Sequence, residues 1–246
     1  MATLRNTILA ALPSSWRRHA VELKNMFWGG WRHHYYSHCG EDVVIDAYFR
    51  GKPTGFYVDV GAHHPRRYSN TALLYERGWR GINIDADRQA MNLFRSRRPD
   101  DINLCSGVAE HEGTLELHRF SDPAVNTFSS ENAARLRKKA WLDEVAVEQV
   151  PVRPLASILA THLPPGTAID FLNVDVEDLD LEVLRSHDWV AHRPRLVAVE
   201  DRFYDPRAPQ ESTTYTYLKD RNYIFLAYIG LTLLFVDEGA LPSRPQ

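Results

Sequence analysis

The stretch Gly55-Phe-Tyr-Val-Asp-Val-Gly-Ala-His-His-Pro65 constrains the fold more than any other. Phe56, Tyr57, Val58 and Val60 are β-formers in a short run bounded by Gly55 and Gly61, the pattern of a central strand buried on both faces. Such strands do not carry an acid by default, because burying an unpaired charge is costly. Asp59 is therefore expected where the strand opens onto a polar ligand, and Gly61 where something approaches the backbone closely. Ligands of open α/β sheets sit at the carboxyl ends of the strands. This turn is the first candidate for such an end.

The same grammar recurs along the chain. A helix from Thr71 to Arg77 leads to a second strand, Trp79 to Asp85, again closing on a carboxylate. Strand, glycine turn, helix and acid-tipped strand form the βαβ arrangement that grips a ribose diol, since a carboxylate accepts from both hydroxyls. Asp85 is the candidate, with turn capping as its plainer role, and Asn83 reads as a solvent-facing strand residue. Ile102 to Ala109 reads as a third strand whose end, Ser106 to Val108, lies beside the base of a bound nucleoside. A fourth strand, from Ile169, emerges into Asp175, Glu177 and Asp178, and a fifth, Arg195 to Glu200, ends in another acid. Asp175 and Glu177 stand two apart, so they point the same way while the chain stays extended, and like charges so placed raise one another's pKa. That density of acids needs a cation, a positively charged substrate or a proton-transfer role.

Helices are expected over Val43 to Tyr48, Met91 to Arg98, Pro154 to His162, Leu179 to Leu184 and Tyr215 to Lys219. Ser37 or Asp42 is suited to capping the first of them. Leu115 to Phe120 reads as a short strand or hairpin arm. Beyond it, Asn126-Thr127-Phe128 and the basic residues Arg135, Arg137, Lys138 and Lys139 fall in a long insertion, where loops commonly carry substrate contacts. Tyr223 to Tyr228 and Leu231 to Val236, joined through Ile229-Gly230, must be antiparallel. The expected fold is α/β, one mostly parallel sheet finished by an antiparallel C-terminal hairpin, over residues 36–246.

Residues 1–35 read as an N-terminal helical extension, basic and aromatic, with Arg5, Arg17, Arg18, Lys24 and Arg32 among Trp16, Phe27, Trp28 and Trp31. It is suited to peripheral contact with an anionic membrane, to capping the substrate, or to packing on the main domain or on a second subunit of a homo-oligomer. A net charge of −3 gives no general affinity for nucleic acid. Cys39 and Cys105 form no CxxC pair, which argues for a reducing cytoplasm and against a disulfide framework or zinc site. The longest apolar stretch, Ile224 to Val236, is too short to span a membrane, so a soluble cytoplasmic protein is expected.

Taken together, Tyr36-Ser37…Gly40-Glu41-Asp42, the Gly55–Pro65 stretch with Ser69-Asn70-Thr71, Gly78-Trp79…Ile84-Asp85-Ala86, Ile169 to Glu177 and Arg193-Pro…Glu200 resemble the FkbM family of S-adenosylmethionine-dependent methyltransferases. The resemblance implies the Rossmann-like class I methyltransferase sheet of seven strands with the last antiparallel. It also implies O-methylation, often of a sugar or glycan hydroxyl. By position it places Ser37, Glu41, Asp59, Gly61, Asn70, Asp85, Ala86, Ser106, Gly107 and Asp175 around S-adenosyl-L-methionine, with Asp175 and Glu177 also facing the methyl acceptor. Asn126, Thr127 and Glu200 are the expected acceptor contacts. Two departures stand out: Asp178 where the family's Asp-Val-Glu-Gly motif has glycine, and His38 where glutamine is common.

A sugar hydroxyl needs a base to become a good nucleophile. Glu177, Asp175, His63 and His64 are the candidates, the histidines because their pKa ordinarily lies near neutrality; in their plainer role they only shape the turn before Pro65. A magnesium ion on Asp175, Glu177 and Glu200 is a less favoured route to the same end. An NAD-dependent oxidoreductase is disfavoured by the single-glycine turn and hairpin ending, and a nucleic-acid methyltransferase by the lack of an Asn/Asp-Pro-Pro-Tyr stretch. A nucleoside-binding module without chemistry is the alternative from another class.

Overall fold

The computed structural model describes residues 34–241, together with Pro13 and Trp16. The expected basic extension thus lies almost wholly outside the described residues. In the unit that begins at Tyr36, the strands in chain order are β1 (Phe56–Val60), β2 (Arg80–Asp85), β3 (Ile102–Cys105), β4 (Gly107–Val108), β5 (Gly113–Phe120), β6 (Glu144–Arg153), β7 (Phe171–Val174), β8 (Leu196–Glu200), β9 (Tyr223–Ile229) and β10 (Thr232–Asp237). The helices are α1 (Glu41–Tyr48), α2 (Ala72–Glu76), α3 (Arg88–Arg97), α4 (Ser130–Leu136), α5 (Leu155–His162), α6 (Asp180–Arg185) and α7 (Thr213–Lys219).

Seven strands form one sheet in the order β3-β2-β1-β7-β8-β10-β9. The first five are parallel, and β10 runs antiparallel to both β8 and β9. The hairpin is therefore antiparallel within itself, but its outer strand β9 runs with the rest of the sheet. This is the mostly parallel Rossmann-like architecture that the motifs implied.

Alternation along each strand builds two cores. Val58, Val60, Ile84, Val174 and Val199 turn to one side and pack with Leu155 and Ile158 of α5, Leu184 of α6 and Leu218 of α7. Tyr57, Trp79, Phe171, Leu196 and Ala198 turn to the other, against Ile45 of α1, Phe49 just beyond it and Leu74 of α2. Burial of each such side chain contributes roughly 1.5–3 kcal/mol. Both faces being covered is why these strands read as continuous apolar runs.

Three expectations needed correction. The third strand breaks at Ser106: β3 stays in the main sheet, while β4 turns away to pair with β6 in a second sheet of order β4-β6-β5. The whole of β6 lies in what reads as an insertion. Its alternating Val145, Val147, Val150 and Val152 are a strand signal that Pro151 weakens. Finally, α1 starts at left-handed Gly40, and Ser37 Oγ accepts from the Asp42 backbone N–H at 3.3 Å from outside the helix.

Candidate active site

The acids legible at the strand ends converge. Asp59 is in β1, Asp85 ends β2, Asp175 follows β7 and Glu200 ends β8, so all four stand at or near the carboxyl ends of neighbouring parallel strands. Two adjoining clefts open there. The inner one, about 540 Å³ with its mouth, is bordered by Asp85, Ala86, Ser106, Gly107, Asn126 and Phe128. The outer one, about 1300 Å³ with its mouth, is bordered by Glu41, Asn70, Glu200, Arg202, Lys139 and Trp141. Gly61, His63, Asp175 and Glu177 border both.

Asp59 does not open freely onto a ligand. It is 2% exposed, and its carboxylate accepts from Thr71 Oγ1 at 2.6 Å and Asn173 Nδ2 at 2.9 Å. Asn70 Nδ2 donates in turn to Asn173 Oδ1 at 2.9 Å, and buried Arg98 donates to Thr71 at 2.8 Å and Ser69 at 2.9 Å. Burial pushes the Asp59 carboxyl above its ordinary value, while its bonds from Thr71 and Asn173 and the nearby Arg98 charge oppose the rise. Asn83 in β2 is the register partner of Asp59 in β1 and is likewise buried, not solvent-facing. Asp59 thus fixes the loop that carries Ser69, Asn70 and Thr71.

Gly61 has φ +78°, and a Cβ there would lie 1.7 Å from the Asp175 carbonyl oxygen. What approaches its backbone is the chain itself. This closeness sets the Asp175 backbone against the end of β1, where its N–H donates to Val60 O at 3.0 Å.

Asp85 takes one backbone N–H on each oxygen, from His63 at 2.8 Å and Asp87 at 2.6 Å. Those bonds orient it while leaving acceptor lone pairs toward the inner cleft. Burial, with smaller contributions from the Asp87 and Asp59 charges, outweighs the two N–H bonds and raises its pKa to about 6.

The centre of the site is the loop after β7. Glu177 (φ 56°) and Asp178 (φ 80°) are both left-handed, so the chain is not extended where the sequence suggested it was. Asp175 and Glu177 meet through that turn instead: one carboxylate oxygen of each lies within 4.8 Å of the other and of Glu200. The turn is held from the insertion. Thr127 Oγ1 donates to Glu177 O at 2.6 Å, and Asn132 Nδ2 donates to a Glu177 carboxylate oxygen at 3.3 Å. Thr127 is therefore buried as a brace and borders neither cleft.

Arg202, which the sequence reading missed, sits among these acids. Its Nη2 donates to Glu177 at 2.6 Å and Glu200 at 2.8 Å, and its Nε lies 3.1 Å from Asp178 Oδ1 as a charge contact. Asp178 also pairs with Arg135. The density of carboxylates thus finds its counter-charge inside the protein. The Asp175, Glu177 and Glu200 oxygens are close enough to share a divalent ion, but Arg202 already engages two of the three. Burial pushes the Asp175 carboxyl well above the usual carboxylate range, and the Glu200, Glu177 and Asp180 charges push further in the same direction. Glu177 is raised too, again chiefly by burial, with Arg202 opposing. Among the described residues nothing bonds to the Asp175 side chain.

The other candidates divide. His63 borders both clefts, with Nε2 buried and unpartnered, and burial together with the Arg67 charge lowers its pKa to about 4. His64 borders neither; its Nδ1 accepts from the Arg66 and Arg67 backbones at 3.0 and 2.9 Å, which shapes the turn. Asn126 accepts from the Phe120 N–H at 2.9 Å and keeps Nδ2 buried and unpartnered at the inner cleft. Ser37 borders neither cleft; its hydroxyl donates to Asp42 at 2.7 Å, while Glu41 accepts from the Cys39 N–H at 2.8 Å. Ser106 Oγ is turned to its neighbour's carbonyl, and a Cβ at Gly107 would meet Phe128 at 2.9 Å.

A mostly parallel Rossmann-like sheet with acid-bearing strand ends around paired clefts is consistent with a methyltransferase fold. The family model of the methyltransferase FkbM domain matches residues 59–225, more than half of the chain. The chain belongs to the FkbM methyltransferase family. No curated protein matches it.

Proposed function

We propose that this protein is an S-adenosylmethionine-dependent O-methyltransferase acting on a hydroxyl of a sugar or glycosylated acceptor, with catalysis carried by residues 36–246. The residues bordering the inner cleft suit the cofactor. Asp85 accepts from the ribose diol, Ala86, Ser106 and Gly107 flank the base, and the unpartnered polar atoms of His63 and Asn126 offer it further hydrogen bonds. Glu41, Asn70 and the Asp59 network border the amino-acid end. Family membership implies this cofactor in general terms, and when bound it supplies an electrophilic methyl group.

One observation carries the chemical assignment: Asp175 stands where the two clefts join, its carboxylate unpartnered and its proton affinity raised. A base must accept a proton readily, which a raised pKa provides, and must be free to reach it. Glu177 is less suited, since Arg202 and Asn132 hold its carboxylate and the positive charge opposes proton uptake. In this reading Asp175 takes the acceptor's proton, and Glu177, Glu200 and Arg202 orient the acceptor through hydrogen bonds. His63, with its pKa near 4, is a weak base and a better hydrogen-bond partner. Arg202 supplies the counter-charge a magnesium ion would otherwise bring, so the reaction runs without metal.

Asp175→Asn tests the assignment. Turnover of a sugar acceptor found by screening should fall by roughly 10²–10⁴, while S-adenosylhomocysteine still binds in calorimetric titration. Unchanged turnover would remove Asp175 from the chemistry.

A further inference from the structure

Isolated apolar side chains on a protein surface are ordinary. Trp141 is 66% exposed, yet it stands on the rim of the outer cleft, the one that holds Asp175, Glu177 and Arg202. Its backbone is held from below. The next residue, Leu142, is buried against Phe120, Ala133 and Leu136, and the Leu142 N–H closes a turn onto Lys139 O at 3.1 Å. Lys139 Nζ lies 5.6 Å from the centroid of the indole, covering one face. An aromatic plane at the mouth of a cleft bordered by hydrogen-bonding acids fits a molecule with an apolar C–H face and polar edges. Tyr68, also exposed and also bordering this cleft, is held at a left-handed φ of 58° that a bulky residue adopts only under constraint.

We propose that Trp141 is the acceptor-binding platform: a neutral pyranose ring lies on the open face of the indole, which points its hydroxyl at Asp175. This rests on reading the outer cleft as the methyl-acceptor site. A cationic acceptor is disfavoured because Lys139 already occupies the indole, and a planar aromatic acceptor is the competing occupant that the test must separate.

The test uses the full chain saturated with S-adenosylhomocysteine, with saturation-transfer NMR against methyl glycosides of glucose, galactose, mannose and rhamnose, and against 4-methylumbelliferone as a planar aromatic probe. At least one glycoside should bind, with saturation strongest on its C–H face. Trp141→Ala should weaken that binding about tenfold, Trp141→Tyr should largely retain it, and S-adenosylhomocysteine affinity should be unchanged in both. Equal glycoside binding by Trp141→Ala, binding of the aromatic probe alone, or no glycoside binding by protein that holds S-adenosylhomocysteine would each overturn the platform. Failure to bind S-adenosylhomocysteine would instead overturn the methyltransferase reading beneath it.

Discussion

Arg202→Ala exposes how the acidic cluster is held together. The Arg202 side chain is 22% exposed and bonds two carboxylates while standing beside a third. Removing one partner of a buried ion pair costs roughly 3–5 kcal/mol, and the partial exposure puts this case near 3. At roughly 2–4 °C per kcal/mol for a unit of this size, the melting temperature should fall by about 6–12 °C at neutral pH. The sign of the pH dependence is fixed as well. Glu177 and Asp175 already have raised pKa values, so the folded state binds protons more readily than the unfolded one, and stability falls as pH rises from their ordinary carboxylate values through their raised ones. Without Arg202 the rise in Glu177 is larger. The gap between variant and wild type should therefore widen as pH rises above the ordinary carboxylate range and close on acidification. Scanning calorimetry across that rise in pH, with Arg202→Met to keep side-chain volume, measures it. Magnesium should raise the melting temperature of the variant and leave the wild type unmoved, and EDTA should not reduce wild-type turnover. Equal stability of wild type and variant at pH 8, or a gap that grows on acidification, would refute the account of Arg202 as the internal counter-ion.

Gly61→Ala combines a left-handed φ with a 1.7 Å overlap on backbone, so the soluble yield should collapse or the melting temperature drop by more than about 10 °C. Asp178→Gly relieves left-handed strain of about 1 kcal/mol but removes a carboxylate that is 15% exposed and paired with Arg135 and Arg202; at roughly 3 kcal/mol for a largely buried partner the loss wins, so chemical denaturation should find it about 2 kcal/mol less stable than wild type. Asp178→Val keeps the strain, adds a branched side chain at φ 80° and should be clearly less stable. If Asp85 must be ionised to accept from a ribose, affinity for S-adenosylhomocysteine should fall about tenfold per pH unit below its pKa of about 6; titration at pH 7.5, 6 and 5 follows it, and Asp85→Asn should flatten the profile.

Much of the site is written locally. Asp59, Asp85, Asp175 and Glu200 each close or interrupt a short apolar run, and a carboxylate in such a place is conspicuous because burial penalises it. Which of them stays free is not local. Asp59 is consumed by Thr71 and Asn173, residues 12 and 114 positions away, and only the assembled sheet shows it. Arg202 reads as an ordinary turn arginine until Glu177 is brought to it from 25 positions away. The convergence of Asp175 and Glu177 was expected from strand geometry but arises from two left-handed residues, which explains why glycine suits the position Asp178 occupies. The β6 strand escaped because most of it is half-buried or exposed on a small second sheet, where alternation is a weaker signal than continuous burial.

Calorimetric titration of the full chain with S-adenosylhomocysteine, run beside NAD, tests the central claim most directly. Saturable binding of the sulfur nucleoside is expected, lost or strongly weakened in Asp85→Ala, kept in Asp175→Asn, with no heat from NAD. Binding of NAD in its place, or S-adenosylhomocysteine affinity indifferent to Asp85, would contradict it.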